Sequence, residues 1–254
     1  MKSSSITATT LILFSCISFS AIAQTDFTNK AEATNQIVDS AKEGKWIEYF
    51  NATLKETTKD SATYYRLVIY NKGRENGIAR RYMIAEDVLL AETPYVNGKR
   101  EGIAKGYFPN GILKVVTTFH NDQIEGVQKQ YYQNGKTDWI IPYYSSKIHG
   151  IAKEYYPTDT LKAEIPYSYG AKYGVSKEYY DDGELKTETP YVNGAKSGVE
   201  KMYYKFSPET PNKRNPDNIE WQTPYTNGKI NGTQLHYSTD GSKTEFEFLN
   251  GKKI

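Results

Sequence analysis

The chain has 254 residues, with 32 basic and 30 acidic side chains and a formal net charge of +2. This near balance argues against a nucleic-acid binder, since such proteins usually carry a marked basic excess. A mean hydropathy of −0.70 and 23 tyrosines argue against a large aliphatic core, because tyrosine favours half-wet surfaces. The composition therefore predicts a thin, elongated body.

Residues 1–23 are predicted to be a secretory signal peptide. Lys2 supplies a positive start, Leu11–Phe19 has the length of a signal-peptide core, and an A-x-A cleavage site ends at Ala23. The run is too short for a spanning helix, so we expect export to the periplasm or cell envelope. The alternative is a lipoprotein anchored through Cys16, although the apolar run continues past that residue. Cleavage after Ala23 removes the chain's only cysteine, and with it any disulfide or thiolate site.

Residues 24–69 are interpreted as an N-terminal capping region. A short helix is predicted around Thr28–Gly44. Gly44 and Tyr49 keep the five-residue spacing of the repeat that follows, so GKWIEYF is alternatively a degenerate first hairpin. Either form suits the end of an array, where terminal units are usually atypical.

Residues 70–254 contain a tandem repeat of about 24 residues. Its clearest copies are ETPYVNGKREGIAKGYF, from Glu92, and ETPYVNGAKSGVEKMYY, from Glu188, which lie four periods apart. Each copy has an aromatic residue, glycines three and seven positions later, and a tyrosine twelve positions later. The aromatic positions are Tyr70, Tyr95, Phe119, Tyr143, Tyr167, Tyr191 and Tyr225.

Each repeat is predicted to be a β-hairpin. GVSKEYY, from Gly174, alternates as a strand does, and a turn such as PNG, QNG, DDG or TDG follows in four of the units. A three-residue turn with glycine in the left-handed conformation places Tyr179 and Leu185 on one face, and we prefer it to a two-residue turn for that reason. The recurring prolines are expected at strand ends, since proline cannot donate to a ladder; they are Pro94, Pro142, Pro166, Pro190 and Pro224.

This turn also predicts which residues share a face of the sheet. One face is expected to be apolar and to contain Val175, Tyr179, Leu185, Thr187, Thr189 and Tyr191. The opposite face is expected to be wet and to contain Ser176, Glu178, Tyr180, Lys186 and Glu188. A departure from the period, with three prolines, predicts a loop insertion at 205–218.

The pattern Y-x-x-G-x-x-x-G-x-x-x-x-Y, with its N-G or D-G turn, resembles the MORN repeat family. More closely, it is similar to the family's bacterial branch of YwqK-type antitoxin repeats. The resemblance covers Tyr70–Ile254 and at least seven copies. It implies an all-β fold, an elongated single-layer antiparallel meander of tandem β-hairpins. Members of the family are variously protein scaffolds, lipid-associated modules and antitoxins that neutralise a partner toxin.

No catalytic arrangement is evident in the sequence. His120, His149 and His236 are not spaced as ligands of one metal, and neither a phosphate-binding loop nor an H-E-x-x-H motif occurs. A single open sheet also offers no enclosed pocket in which pKa values could be shifted. We therefore expect a protein that is not an enzyme and that holds neither a cofactor nor a metal.

One column of basic residues is the candidate binding face. A basic side chain stands ten residues into each of six units, at Arg80, Lys105, Lys129, Lys153, Lys177 and Lys201. The predicted register surrounds it with Tyr107, Tyr131, Tyr155, Tyr179 and Tyr203. In a structural interpretation the lysine stems cover neighbouring rings. In a functional one the column docks an extended or acidic partner.

The sequence thus predicts an exported repeat protein that acts as a protein-binding scaffold, in one version the antitoxin or immunity partner that the family resemblance suggests. The alternatives are a module that binds an envelope glycan or a lipid surface, and a structural spacer. A membrane surface is the weaker choice, because net charge is near zero and no amphipathic membrane helix is evident.

Overall fold

The computed structural model describes residues 27–205 and 217–254, which form one antiparallel sheet of 25 strands. The predicted signal peptide, Cys16 and most of the predicted loop at 205–218 lie outside the described residues. Seventeen strands are three to ten residues long: β1 Gln36–Val38, β2 Ala41–Phe50, β3 Tyr64–Asn71, β5 Gly77–Met83, β6 Val88–Val96, β8 Gly102–Tyr107, β9 Leu113–His120, β11 Gly126–Tyr131, β12 Thr137–Tyr144, β14 Gly150–Tyr155, β15 Leu161–Ser168, β17 Gly174–Tyr179, β18 Leu185–Val192, β20 Gly198–Tyr203, β21 Ile219–Thr226, β23 Gly232–Tyr237 and β24 Lys243–Leu249.

Eight further strands have only two residues and follow the turns between units: β4 Arg74–Glu75, β7 Lys99–Arg100, β10 Gln123–Ile124, β13 Lys147–Ile148, β16 Ala171–Lys172, β19 Ala195–Lys196, β22 Lys229–Ile230 and β25 Lys252–Lys253. The long strands pair with their neighbours in chain order, from β1 and β2 to β24. The predicted all-β meander of tandem hairpins is therefore confirmed.

In five of the units the internal turn has the predicted three-residue form. In the unit that begins at Gly174, the Tyr180 N–H donates to Glu184 O at 2.8 Å and the Gly183 N–H donates to Tyr180 O at 3.0 Å. Gly183 has a φ of 90°, which glycine adopts without a Cβ penalty. Tyr179 then pairs with Leu185 on one face, as predicted.

A second, tighter turn joins consecutive units. In the sequence YVNG the turn residues Asn97 and Gly98 have φ of 51° and 81°, the two positive values of a type I′ hairpin turn. The two-residue strand β7 closes this turn by pairing with the end of β6.

Behind that turn, the second glycine packs against a proline in most repeats. Gly198 has a φ of 113°, and a Cβ placed on it would lie 2.9 Å from Pro190 Cγ. The Pro190 carbonyl accepts the Ser197 N–H at 3.0 Å. Pro190 is third from the end of β18, close to the predicted strand end. The recurring proline and glycine thus form one contact, which occurs again at Pro142–Gly150, Pro166–Gly174 and Pro224–Gly232.

A β-bulge makes half of the predicted face assignment wrong. Tyr179 pairs with Leu185 but Glu178 pairs with Thr187, so Lys186 is an extra residue in its strand. An extra residue moves every following side chain to the other face. Thr187, Thr189 and Tyr191 therefore lie with Ser176 and Glu178, whereas Glu188 lies opposite Lys177 on the face of Val175 and Tyr179.

The two faces differ in burial. We call the face that carries Lys105, Lys129, Lys153, Lys177 and Lys201 the lysine face, and the other the small-residue face. The buried side chains of the repeats are mostly small and lie on the second face: Ala79, Thr117, Ala152, Ala163, Ser176, Thr187, Thr189 and Thr223. The aliphatic residues predicted as core, such as Val175, are about half exposed on the lysine face.

Tyrosine hydroxyls join four of the units to the unit that follows. The Tyr156 hydroxyl donates to Tyr179 O at 2.9 Å and the Tyr180 hydroxyl donates to Tyr203 O at 2.9 Å. Equivalent bonds join Tyr132 to Tyr155 and Tyr204 to Tyr237. The second tyrosine of the YY pair, predicted to be a solvent-facing residue, is thus a contact between repeats, as expected where stability depends on nearest-neighbour interfaces.

The N-terminal region extends the sheet. Instead of a helix over 28–44, it contains one 3-10 turn, Lys30–Glu32, and a second such turn, Lys59–Ser61, precedes β3. The alternative prediction is the one observed, since Gly44–Phe50 of β2 pairs with β3 as a first hairpin. Phe27 is fully buried against Tyr65 and Leu67, so this segment covers the first strands.

Candidate functional site

The predicted basic column forms one row across the lysine face. Each lysine stands directly across from a residue on either neighbouring strand, and these residues recur every 24 positions from Glu92 to Glu188. In order, the row is Arg80, Glu92, Lys105, Val116, Lys129, Ile140, Lys153, Glu164, Lys177, Glu188, Lys201 and Gln222. Cations thus alternate with carboxylates at both ends of the row, but with aliphatic residues in the middle.

Where a glutamate is present, it joins two neighbouring units. Glu92 accepts from Arg80 Nε at 3.0 Å through Oε1 and from the Tyr107 hydroxyl at 2.8 Å through Oε2. Glu164 does the same with Lys153 Nζ at 2.9 Å and the Tyr179 hydroxyl at 3.2 Å.

The third glutamate repeats this geometry. Glu188 lies 3.6 Å from Lys177 Nζ through Oε1 and accepts the Tyr203 hydroxyl at 2.8 Å through Oε2. Each carboxylate is therefore held by the cation on the other strand of its own unit and by the tyrosine of the following unit, with the same oxygen assigned to each. Such charge-assisted bonds are stronger than neutral ones.

The pKa values of these groups are shifted in the directions that the contacts predict. The hydrogen bond from Lys153 lowers the pKa of Glu164, and the bond to Glu164 raises the pKa of Lys153. Burial, followed by the bond to Glu92, raises the pKa of the Tyr107 hydroxyl to about 12. Burial and the bond to Glu188 likewise raise the pKa of Tyr203. All four groups therefore keep their charge state at neutral pH.

Two positions in the middle of the row lack the carboxylate. Val116 and Ile140 occupy the places where the other units have glutamate. Within 27–205 and 217–254, neither Lys105 nor Lys129 has a carboxylate within salt-bridge distance, and both are exposed, whereas the paired Lys153 and Lys177 are partly buried.

The tyrosines that face these two positions are also left without an acceptor. In the same described ranges, the hydroxyls of Tyr131 and Tyr155 make no hydrogen bond to a protein group, although their counterparts Tyr107, Tyr179 and Tyr203 each donate to a glutamate. We call Lys105, Val116 and Tyr131 the first gap, and Lys129, Ile140 and Tyr155 the second gap.

The ends of the predicted column differ from its middle. Arg80 is only 7% exposed, and its Nη1 donates to Phe27 O at 3.1 Å, so the N-terminal segment covers it. Lys201 lies across from Glu188 and Gln222 and is partly buried. The structure thus brings the predicted residues into one row, of which Lys105 and Lys129 are the exposed part.

An aliphatic column runs beside the row. It contains one β-branched side chain from each of five units, between 43% and 57% exposed: Ile103, Val127, Ile151, Val175 and Val199. Four of them pair with a proline of the next strand, at Pro142, Pro166, Pro190 and Pro224. A contiguous exposed apolar strip of this kind is typical of a binding surface.

A second exposed cluster lies at the edge formed by the inter-unit turns. Tyr144 and Tyr169 are each more than half exposed, and the His149 ring centroid lies 4.5 Å from that of Tyr169. Tyr144 and Tyr169 meet edge to face at 6.2 Å. Sequence reasoning missed this cluster, because its members occupy different positions of two successive repeats and only the turn geometry brings them together.

The described residues show no group of three or more histidine, cysteine or carboxylate side chains that could hold a metal ion. They also include no helix with the length and hydropathy needed to cross a membrane.

Comparison with known families gives a match for the centre of the array. Residues 100–121, 124–138, 148–169 and 172–193 match the family described as the MORN repeat variant. No curated protein matches the chain. The four matched segments include Lys105, Lys129, Lys153 and Lys177, so the predicted resemblance to the MORN repeat family is confirmed over these four segments. These four segments of the central array are similar to MORN-variant repeats.

Proposed function

We propose that this protein is a binding scaffold that presents its lysine face to another protein, and that it has no catalytic role. The observation that carries the proposal is the exposed strip of aliphatic, lysine and tyrosine side chains. Successive aliphatic residues are two strands apart, or about 10 Å. The five of them, Ile103 to Val199, therefore extend over about 40 Å.

The composition of the strip favours a protein over a lipid surface. Tyrosine rings beside β-branched side chains supply apolar contact area at low entropic penalty, and the lysines alternate with glutamates at both ends of the row. A surface that binds anionic lipid would instead gather cations without carboxylates along its whole length. MORN repeats are generally associated with scaffolds that bind proteins or membranes, and the exposed strip supports the first of these.

Two more specific parts of the proposal, the type of partner and export, rest on the sequence. A partner of the antitoxin or immunity type is one form that this binding takes, in keeping with the resemblance to YwqK-type repeats. Export is supported by the apolar run Leu11–Phe19 and the cleavage site ending at Ala23. Mass measurement of the mature N-terminus tests export directly, since cleavage predicts a chain that begins at Gln24.

The test of the scaffold role is affinity capture from an extract of the source cells, with lysine-face charges reversed in one bait. Lys129→Glu, Lys153→Glu and Lys177→Glu together should abolish retention of a protein that the native bait captures. The matched control reverses the charges of three lysines on the small-residue face, Lys114, Lys162 and Lys186. This bait should still capture the protein. Equal capture by all three baits would make the column structural.

A second candidate function rests on the turn-edge cluster. Exposed tyrosine rings such as Tyr144 and Tyr169 offer apolar faces against which a sugar ring can stack, so an envelope glycan would bind there and not at the lysine face. Tyr144→Ser with Tyr169→Ser should remove binding to an immobilised glycan and leave protein capture unchanged.

A further inference from the structure

Three glutamates of the lysine face show how a carboxylate is bound on this surface. Glu92, Glu164 and Glu188 each fit between a cation and a tyrosine hydroxyl, with one carboxylate oxygen to each. At Val116 and Ile140 the backbone register is the same and the cation and hydroxyl are present, but the carboxylate is missing. We propose that the two gaps bind carboxylates of an acidic segment of a partner protein, which supplies the missing groups.

This inference rests on the proposed scaffold role and names the chemistry of its partner. Charge complementarity is local to the gaps: between Glu92 and Glu164 the row holds three lysines, Lys105, Lys129 and Lys153, and no carboxylate. The half-buried Val116 and Ile140 lie beside the lysines, and an apolar surrounding strengthens an ion pair relative to water.

The distance between the gaps defines the shape of the segment. Val116 in β9 and Ile140 in β12 are separated by the single strand β11, so they lie about 10 Å apart across the sheet. A polyproline II chain rises about 3.1 Å per residue with three residues per turn. Its residues i and i+3 therefore point the same way about 9.3 Å apart. A β-strand with the same spacing would point them in opposite directions.

The expected partner segment is thus extended, with the pattern acidic-x-x-acidic, and crosses the strands. The two residues between its carboxylates lie close to Val127 and Pro142, which pair with each other beside the gaps. Apolar residues such as proline suit those two positions, because they cover the exposed Val127 side chain and favour the polyproline II conformation.

The probe is a fluorescent ten-residue peptide with a central Glu-Pro-Pro-Glu in a Gly/Ser background, titrated against the full-length protein by anisotropy. Two matched peptides serve as controls: Gln-Pro-Pro-Gln removes the charges, and Glu-Pro-Glu-Pro changes the spacing. We expect both to bind roughly tenfold or more weakly than the probe, since tenfold corresponds to the loss of about one charge-assisted hydrogen bond.

The decisive variant supplies both gaps with a carboxylate from the protein itself. Val116→Glu with Ile140→Glu places carboxylates where the other repeats already hold them, and should reduce probe binding about tenfold or more. Val116→Gln with Ile140→Gln is the neutral control and should keep most of the binding. A far-ultraviolet circular dichroism spectrum equal to that of the native protein shows independently that the glutamate variant is folded.

The opposite change should lengthen the site. Glu164→Val removes the carboxylate between Lys153 and Tyr179, which creates a third gap at the same spacing. A peptide with three glutamates at positions i, i+3 and i+6 should then bind this variant several-fold more tightly than the native protein.

The outcomes separate this inference from the scaffold role. If the glutamate and glutamine variants bind the probe equally, or the native protein binds all three peptides alike, the carboxylate inference is overturned. Binding of phosphatidylserine vesicles without binding of the probe would overturn it as well. The scaffold role would still hold if reversal of Lys129, Lys153 and Lys177 abolished protein capture while the gap-filling variant did not, and it falls if that reversal has no effect.

Discussion

Where a repeat has the contact between its second glycine and a proline, that contact should contribute strongly to the stability of the repeat. Gly198 has a φ of 113°, a region that costs a non-glycine residue about 1–3 kcal/mol. An added Cβ would also lie 2.9 Å from Pro190 Cγ, and overpacking of this kind costs typically about 1–3 kcal/mol. Gly198→Ala should therefore lower the free energy of unfolding by about 2–6 kcal/mol.

A glycine of the same unit separates the two contributions. Gly194 has a φ of 85° with no heavy atom within 4 Å of an added Cβ, so Gly194→Ala should show only the backbone term of about 1–2 kcal/mol. Urea denaturation followed by circular dichroism measures both variants. Adding Pro190→Ala to Gly198→Ala completes a double-mutant cycle and should recover about 1 kcal/mol or more. Equal destabilisation by Gly198→Ala and Gly194→Ala, or no coupling to Pro190→Ala, would refute the contact.

Three further predictions concern the cap, the carboxylates and the array. Phe27→Ala empties a fully buried site and should lower stability by about 3–5 kcal/mol in urea denaturation; a change under about 1 kcal/mol would show that the N-terminal segment does not cap the sheet. The folded-state pKa of Glu164 is lowered, chiefly by the bond from Lys153, so its stabilisation is present above the unfolded pKa and is lost as pH falls through the folded one. Glu164→Gln should therefore flatten the acid limb of stability against pH, while Glu178→Gln on the other face should not; identical acid limbs would exclude the ion pair as the cause. Deletion of 173–196, one 24-residue unit, should preserve the β-sheet circular dichroism signal and shorten the particle in small-angle scattering, whereas loss of that signal would contradict the array.

The fold was largely predictable because most repeats have a recognisable turn sequence. The glycine of the turn at Gly183 and the Asn97-Gly98 pair each specify a backbone conformation, and the strands between them follow. The bulge at Lys186 was not predictable, since lysine and its neighbours suit either register and no glycine marks the extra residue. One extra residue then reversed the faces of Thr187, Thr189 and Tyr191.

The candidate site was predictable in part. The lysine column is visible in the sequence as a periodic residue. The residues that lie across from the lysines are not, because cross-strand pairing depends on that bulge. Once the register is known, the series Glu92, Val116, Ile140, Glu164 and Glu188 is also periodic in the sequence, and the two aliphatic members stand out as departures. The cover over Arg80 depends on tertiary contact with Phe27, which no repeat pattern contains.

The most direct measurement is the acetylation rate of each lysine, followed by mass spectrometry with and without the Glu-Pro-Pro-Glu peptide. The account predicts that Lys105 and Lys129 react faster than Lys153 and Lys177, which are held by Glu164 and Glu188, and that the peptide slows Lys105 and Lys129 while Lys186, on the other face, is unchanged. Similar acetylation rates for these four lysines, or equal slowing of Lys186 by the peptide, would contradict it.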